Sequence, residues 1–152
     1  MVCCVSYAGS NQRGDGESEL KELILEIIVR LTGDYFVQGD GMDIRMLPFV
    51  GTAQGKYFTG KTIGESVDTQ RISKDGSLEL SARYMLEGMD YQGKPCRVFI
   101  ENNGNNSTGE ICCTPKIVTD SVALKEWETI SLTSKVEPIP DGVRVSIFKM
   151  QG

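Results

Sequence analysis

From residue 35 onward, short apolar or alternating runs recur between clusters of glycine and aspartate. The runs are Tyr35–Val37, Ile44–Val50, Val67–Ser73, Leu78–Leu86, Arg97–Asn102 and Val143–Met150. Turn signals such as Gly39-Asp40-Gly41, Gly51, Gly64, Asp75-Gly76, Gly93 and Asp141-Gly142 separate them. This punctuation predicts an all-β sandwich or barrel, and Asp75-Gly76 between two runs predicts a hairpin. The earlier stretch LKELILEIIVRL (Leu20–Leu31) carries two patterns at once. Leu20, Leu23, Ile24, Ile27, Ile28 and Leu31 form a helical stripe, while Leu23, Leu25, Ile27, Val29 and Leu31 alternate as in a strand. Its β-branched residues favour the strand. Asp120-Ser121 offers a helix cap before Val122–Trp127, which predicts one short helix near Asp120–Trp127. Residues 1–19, rich in Gly, Ser, Asp and Glu, read as a flexible N-terminal arm, leaving 20–152 as one domain.

Alternation gives the central runs two unlike faces. Leu78, Leu80, Ala82, Tyr84 and Leu86 oppose Glu79, Ser81 and Arg83. Asp68, Gln70 and Ile72 share a face, as do Arg97, Phe99, Glu101 and Asn103, opposite Val98, Ile100 and Asn102. Two readings stand. In an open sheet the polar face meets solvent; in a small closed barrel it lines a lumen, where Arg83 needs a carboxylate such as Asp68 or Glu101.

Composition narrows the chemistry. At 152 residues and 16.7 kDa the chain suits one domain. Its net charge of −5 argues against nucleic acid or an anionic membrane as partner. There is no apolar run of membrane-spanning length and no leader-like N-terminus, so a cytoplasmic protein is expected. The five cysteines include the vicinal pairs Cys3-Cys4 and Cys112-Cys113 and no C-x-x-C, which predicts free thiols rather than a disulfide framework. Most informative, the chain has no histidine. Ser-His-Asp and Cys-His arrangements and histidine-ligated metals are excluded, and neither a metal nor a cofactor is expected.

Two motif matches dissolve on inspection. Gly55 to Thr62 fits the phosphate-loop pattern G-x-x-x-x-G-K-[ST], but the following Ile63-Gly64-Glu65-Ser66-Val67 is poor helix and no strand–helix–strand pattern surrounds it. Gly39-Asp40-Gly41-Met42-Asp43 lacks calcium-loop spacing and reads as a turn.

The succession Arg45-Met46-Leu47-Pro48-Phe49-Val50-Gly51, Phe58-Thr59-Gly60-Lys61, Asp68, Asp75 to Tyr84 with its Ala82-Arg83-Tyr84 triplet, and Glu101-Asn102-Asn103-Gly104 resembles a widespread bacterial and fungal family of single-domain proteins of unknown function. The resemblance implies an antiparallel calycin-like or allene-oxide-cyclase-like β-barrel. It also makes Leu23–Leu31 the first strand and the glycines of the false phosphate loop barrel corners. Where many relatives carry a Pro-Gly-Gly turn, this chain has Ile63–Val67.

Three functions follow as expectations. The first is a barrel whose lumen binds a small, partly apolar molecule, lined by Asp68, Gln70, Arg83, Glu101 and Asn103, with Arg83 as the polar anchor. The second is a metal-free isomerase, cyclase or lyase with Glu101 or Asp68 as acid–base. The third is a homo-oligomeric structural module.

Overall fold

The computed structural model describes residues 21–150. The expected N-terminal arm, and Cys3-Cys4 within it, lie outside the described residues. Nine strands account for nearly all regular structure: β1 (Lys21–Leu31), β2 (Tyr35–Gln38), β3 (Met42–Gln54), β4 (Phe58–Ser73), β5 (Leu78–Asp90), β6 (Pro95–Asn105), β7 (Cys112–Thr119), β8 (Leu132–Ile139) and β9 (Gly142–Met150). They form one antiparallel sheet in the order β7-β6-β5-β4-β3-β1-β9-β8, with β2 paired to β3 beside that path. Among the described residues no backbone ladder joins β7 to β8, so the sheet is a curled half-barrel. Its two terminal regions meet where Asn102 Nδ2 on β6 donates to Ser134 Oγ on β8, 2.9 Å away.

The ambiguity at Leu20–Leu31 has a structural cause. β1 is a strand, but its pairing with β9 slips between Leu23 and Leu25. That bulge buries the consecutive Ile24 and Leu25, after which Ile27 and Val29 face inward in regular alternation. A bulged strand thereby imitates a helical stripe. The predicted helix shrinks to a single 3-10 turn, Lys125–Glu128, preceded by Leu124 without any side-chain cap. Asp120 does not cap it; Asp120 Oδ1 accepts instead from the Arg97 amide at 2.8 Å. The turn matters through packing, since it inserts buried Leu124 and Trp127 into one end of the barrel.

The phosphate-loop match is strand. Lys61 and Thr62 lie within β4, and Gly60 pairs with Gly88 of β5. A Cβ on Gly88 would lie 1.9 Å from the Thr59 carbonyl oxygen, and one on Gly60 2.5 Å from that of Glu87. The pair of facing glycines allows the strands this close approach. The Gly39–Asp43 stretch is the tip of the β2–β3 hairpin. Ile63–Val67 forms a bulge, not a loop: Ile63 pairs with Met85 and Val67 with Arg83, and Gly64 takes a φ of +67° to make the bend.

Candidate functional site

Paired residues in an antiparallel ladder share a face, so the inner surface can be read as rows crossing the sheet. One row runs Phe49, then Tyr84, Ile100 and Ile117, with the Phe49 and Tyr84 rings edge-to-face at 5.4 Å. The next row toward the open end runs Leu47, Asp68, Ala82, Asn102 and Pro115. The third runs Phe36, Arg45, Gln70, Leu80, Gly104 and Cys113. Polarity therefore rises along the barrel. Around the 3-10 turn the interior holds Leu25, Phe58, Leu86, Val98, Leu124 and Trp127, whereas the far half gathers Ser66, Asp68, Gln70, Asn102, Ser134 and Arg45.

Asp68 is the centre of that polar half. It is fully buried, with 0% exposure, and Gln70 Nε2 donates to its Oδ2 at 3.2 Å. Asp68, Gln70, Tyr84 and Asn102 are all engaged in further interactions. Ser66, at the β4 bulge, is 2% exposed and its hydroxyl has no hydrogen-bond partner. At the rim Arg45 carries its guanidinium 5.0 Å over the Phe36 ring, with Asp34 Oδ1 3.2 Å from Nε. Its neighbour Asp43 is taken up by Lys74 at 2.8 Å.

The five predicted site residues divide between the two faces. Asp68 and Gln70 are inside. Arg83, Glu101 and Asn103 are outside, which corrects the expected lumenal anchor. Arg83 alternates with buried Ala82 and Tyr84 on β5, so its side chain, 62% exposed, must point away from the core. Glu101 pairs with it directly across the ladder, Arg83 Nε–Glu101 Oε2 being 3.4 Å, and Asn103 Nδ2 donates to Glu101 Oε1 at 2.8 Å. These three belong to an outer concavity of about 650 Å³ shared with Arg71, Glu79 and Lys116. The inward arginine is Arg45, which sequence reasoning did not select. Counting alternate positions back from the apolar Phe49 and Leu47 would have found it.

The closed end has its own polar lock. Asp90 Oδ2 accepts from the Ser121 hydroxyl at 2.8 Å and Oδ1 from the Gln92 and Lys94 amides. The Ser121 bond, then the two amides, hold its carboxyl below the usual aspartate range. Nearby Glu22 is likewise lowered, first by the Tyr57 hydroxyl bond at 2.8 Å. Burial pushes the Cys96 thiol up, which makes it a poor nucleophile. Cys96 and Cys112 are free, as expected, but Cys113 is in a disulfide, against the expectation of free thiols throughout. Among the described residues no cluster of His, Cys, Asp or Glu is arranged to hold a metal, and no helix is long and apolar enough to cross a membrane.

No family model matches the chain. A stretch of 61 residues is 36% identical to a UPF0311 protein of Clostridium acetobutylicum, covering 40% of this chain and 36% of that one, so the chain spans about a third of the length of that curated relative. Among solved structures, a protein of unknown function from Clostridium acetobutylicum superposes with a TM-score of 0.72 at 22% identity, over 86% of this chain and 99% of that one. A β-barrel-like protein from Acinetobacter baumannii gives 0.65 at 15% identity, over 86% and 96%. A protein from Penicillium herquei described as an enzyme gives 0.64 at 13% identity, over 86% and 93%. These similarities bear out the resemblance to an uncharacterised family with a β-barrel-like fold.

Proposed function

We propose that the barrel binds a small, partly apolar molecule in the polar half of its interior. The observation that carries this reading is the gradient along the inner face, apolar beneath Trp127 and polar from Ser66 to Arg45. Small-molecule sites combine apolar walls with a few convergent polar groups, and small barrels and curled sheets bind at their mouths. Asp68 supplies an acceptor, and Gln70 and Arg45 supply donors nearer the rim. A ligand with a hydroxyl or amine toward Asp68 and a carbonyl toward Arg45 matches that polarity. Arg83 has no part in it.

The test is a titration with the neutral dye N-phenyl-1-naphthylamine, read by energy transfer from Trp127, the chain's single tryptophan. Saturable one-to-one transfer, competed by whatever small molecule solvent extraction releases from the purified protein, supports the reading. Absence of any saturable transfer contradicts it.

A second reading is favoured by Asp68 itself, a carboxylate with 0% exposure. Buried ionisable groups mark functional sites more often than chance, and a structural neighbour is described as an enzyme. If the pocket turns over its ligand without a metal, Asp68 is the proton carrier, because Glu101 stands outside between Arg83 and Asn103.

A further inference from the structure

The outer wall carries a second concavity that owes nothing to the interior. It has a volume of about 540 Å³ and lies where β1, β3 and β4 meet the β8–β9 turn. Its origin is a mismatch in the sheet. Phe49 pairs with Ser66 and Thr52 with Lys61, so two residues of β3 span the same interval as four of β4, and the ladder opens. Within the gap the Gly51 amide donates to the Thr62 side chain, Oγ1, at 3.1 Å.

The lining is amphipathic. Ile28, Val50, Ile139 and Pro140 give an apolar floor, with Arg30 and Lys61 beside it. Val50 is 40% exposed, so it offers apolar surface to the groove. Neither Arg30 nor Lys61 has an ion-pair partner among the described residues, although most other basic side chains here do. The acidic side chain in the lining is Asp141, held at a φ of 67° in the β8–β9 turn. The lining therefore carries a net positive charge on a protein whose total is −5. Lys61 is also the lysine of the abandoned phosphate-loop match, placed here by β4.

We propose that this groove binds a free amphipathic monoanion, an alkyl chain ending in a carboxylate, with the chain on Ile28, Val50 and Ile139 and the head group between Arg30 and Lys61. An apolar chain gains from leaving water, and Arg30 and Lys61, which outnumber Asp141 in the lining, attract the carboxylate. Neither a neutral chain nor a short anion gains both.

The experiment uses the full chain with sodium decanoate, decanamide and sodium butyrate, followed by amide chemical shifts. Decanoate is expected to move the amides of Ile28, Val50, Thr52, Lys61 and Ile139 saturably. Decanamide and butyrate should bind at least tenfold more weakly. Arg30→Gln and Lys61→Gln should each weaken decanoate several-fold, and together more than tenfold. Both positions are exposed, so folding should be undisturbed, which the amide spectrum of each variant checks. Equal binding of decanamide, or an unchanged affinity in the double variant, overturns the proposal. So do shifts confined to Leu47, Asp68 and Ala82, which would place decanoate in the interior and support the lumenal reading instead. Self-association that buries the groove, detected by sedimentation and unaffected by decanoate, also overturns it.

Discussion

The two ends of this curled sheet differ in polarity although the same strands build both. At one end β4, β5 and β6 contribute Phe58, Leu86 and Val98, and the 3-10 turn adds Leu124 and Trp127. Polar groups there are consumed in fixing loops, as Asp90 is by Ser121, Gln92 and Lys94. A few residues along, the same strands contribute Ser66, Asp68, Gln70 and Asn102 to the interior, among them a buried hydroxyl with no hydrogen-bond partner. Buried polar groups cost stability unless bonded. The apolar end stabilises the fold, and the polar end gives up some of that stability to its buried polar groups.

This contrast predicts a hierarchy of effects. Trp127 is 3% exposed and meets Tyr57 edge-on, with ring centroids 6.3 Å apart. Replacing it with alanine should cost about 3–5 kcal/mol, measured by urea unfolding; a loss below about 1 kcal/mol would show that the turn does not anchor the closed end. Ser66→Ala, at the other end, should leave stability unchanged or raise it by up to about 1 kcal/mol, since it deletes a buried hydroxyl that bonds nothing. Clear destabilisation would mean the polar half is held as tightly as the apolar half.

The acid response discriminates more finely. Asp90 has a folded-state pKa below its unfolded value. It therefore binds fewer protons when folded, and its contribution is complete above about pH 4 and disappears as pH falls through the lowered value. Asp90→Asn should flatten the acid limb of a stability profile and leave its neutral limb parallel to wild type. An acid limb of unchanged slope would remove Asp90 from the account.

How much of this could be read from the residues differs by region. Strands with clean alternation, such as Leu78–Leu86, were legible because one face is wholly apolar. β7 and β8 were not legible because each carries a proline, Pro115 and Pro138, which is tolerated at the two ends of the sheet order. The site was half legible. Alternation correctly opposed Arg83 to Ala82 and Tyr84, but it cannot say whether the polar or the apolar face curls inward. Curvature follows the larger apolar residues, so on β5 and β6 the charged face lies outside. On β4 the bulge at Gly64 interrupts the alternation, and Asp68 and Gln70 end up within. Arg45 shares the inward face of Leu47 and Phe49 by simple alternation on β3, so its place was legible from the strand's own pattern.

Ala82 and Arg83 are consecutive residues on opposite faces, which allows one direct comparison. Ala82 lies between Asp68 and Asn102 in its row, so Ala82→Phe fills the polar half of the interior, while Arg83→Ala trims an exposed ion pair whose loss costs at most about 1 kcal/mol. Titrated side by side with N-phenyl-1-naphthylamine, Ala82→Phe should abolish energy transfer from Trp127 and Arg83→Ala should match wild type. The reverse outcome, transfer surviving in the first and lost in the second, would contradict an interior site.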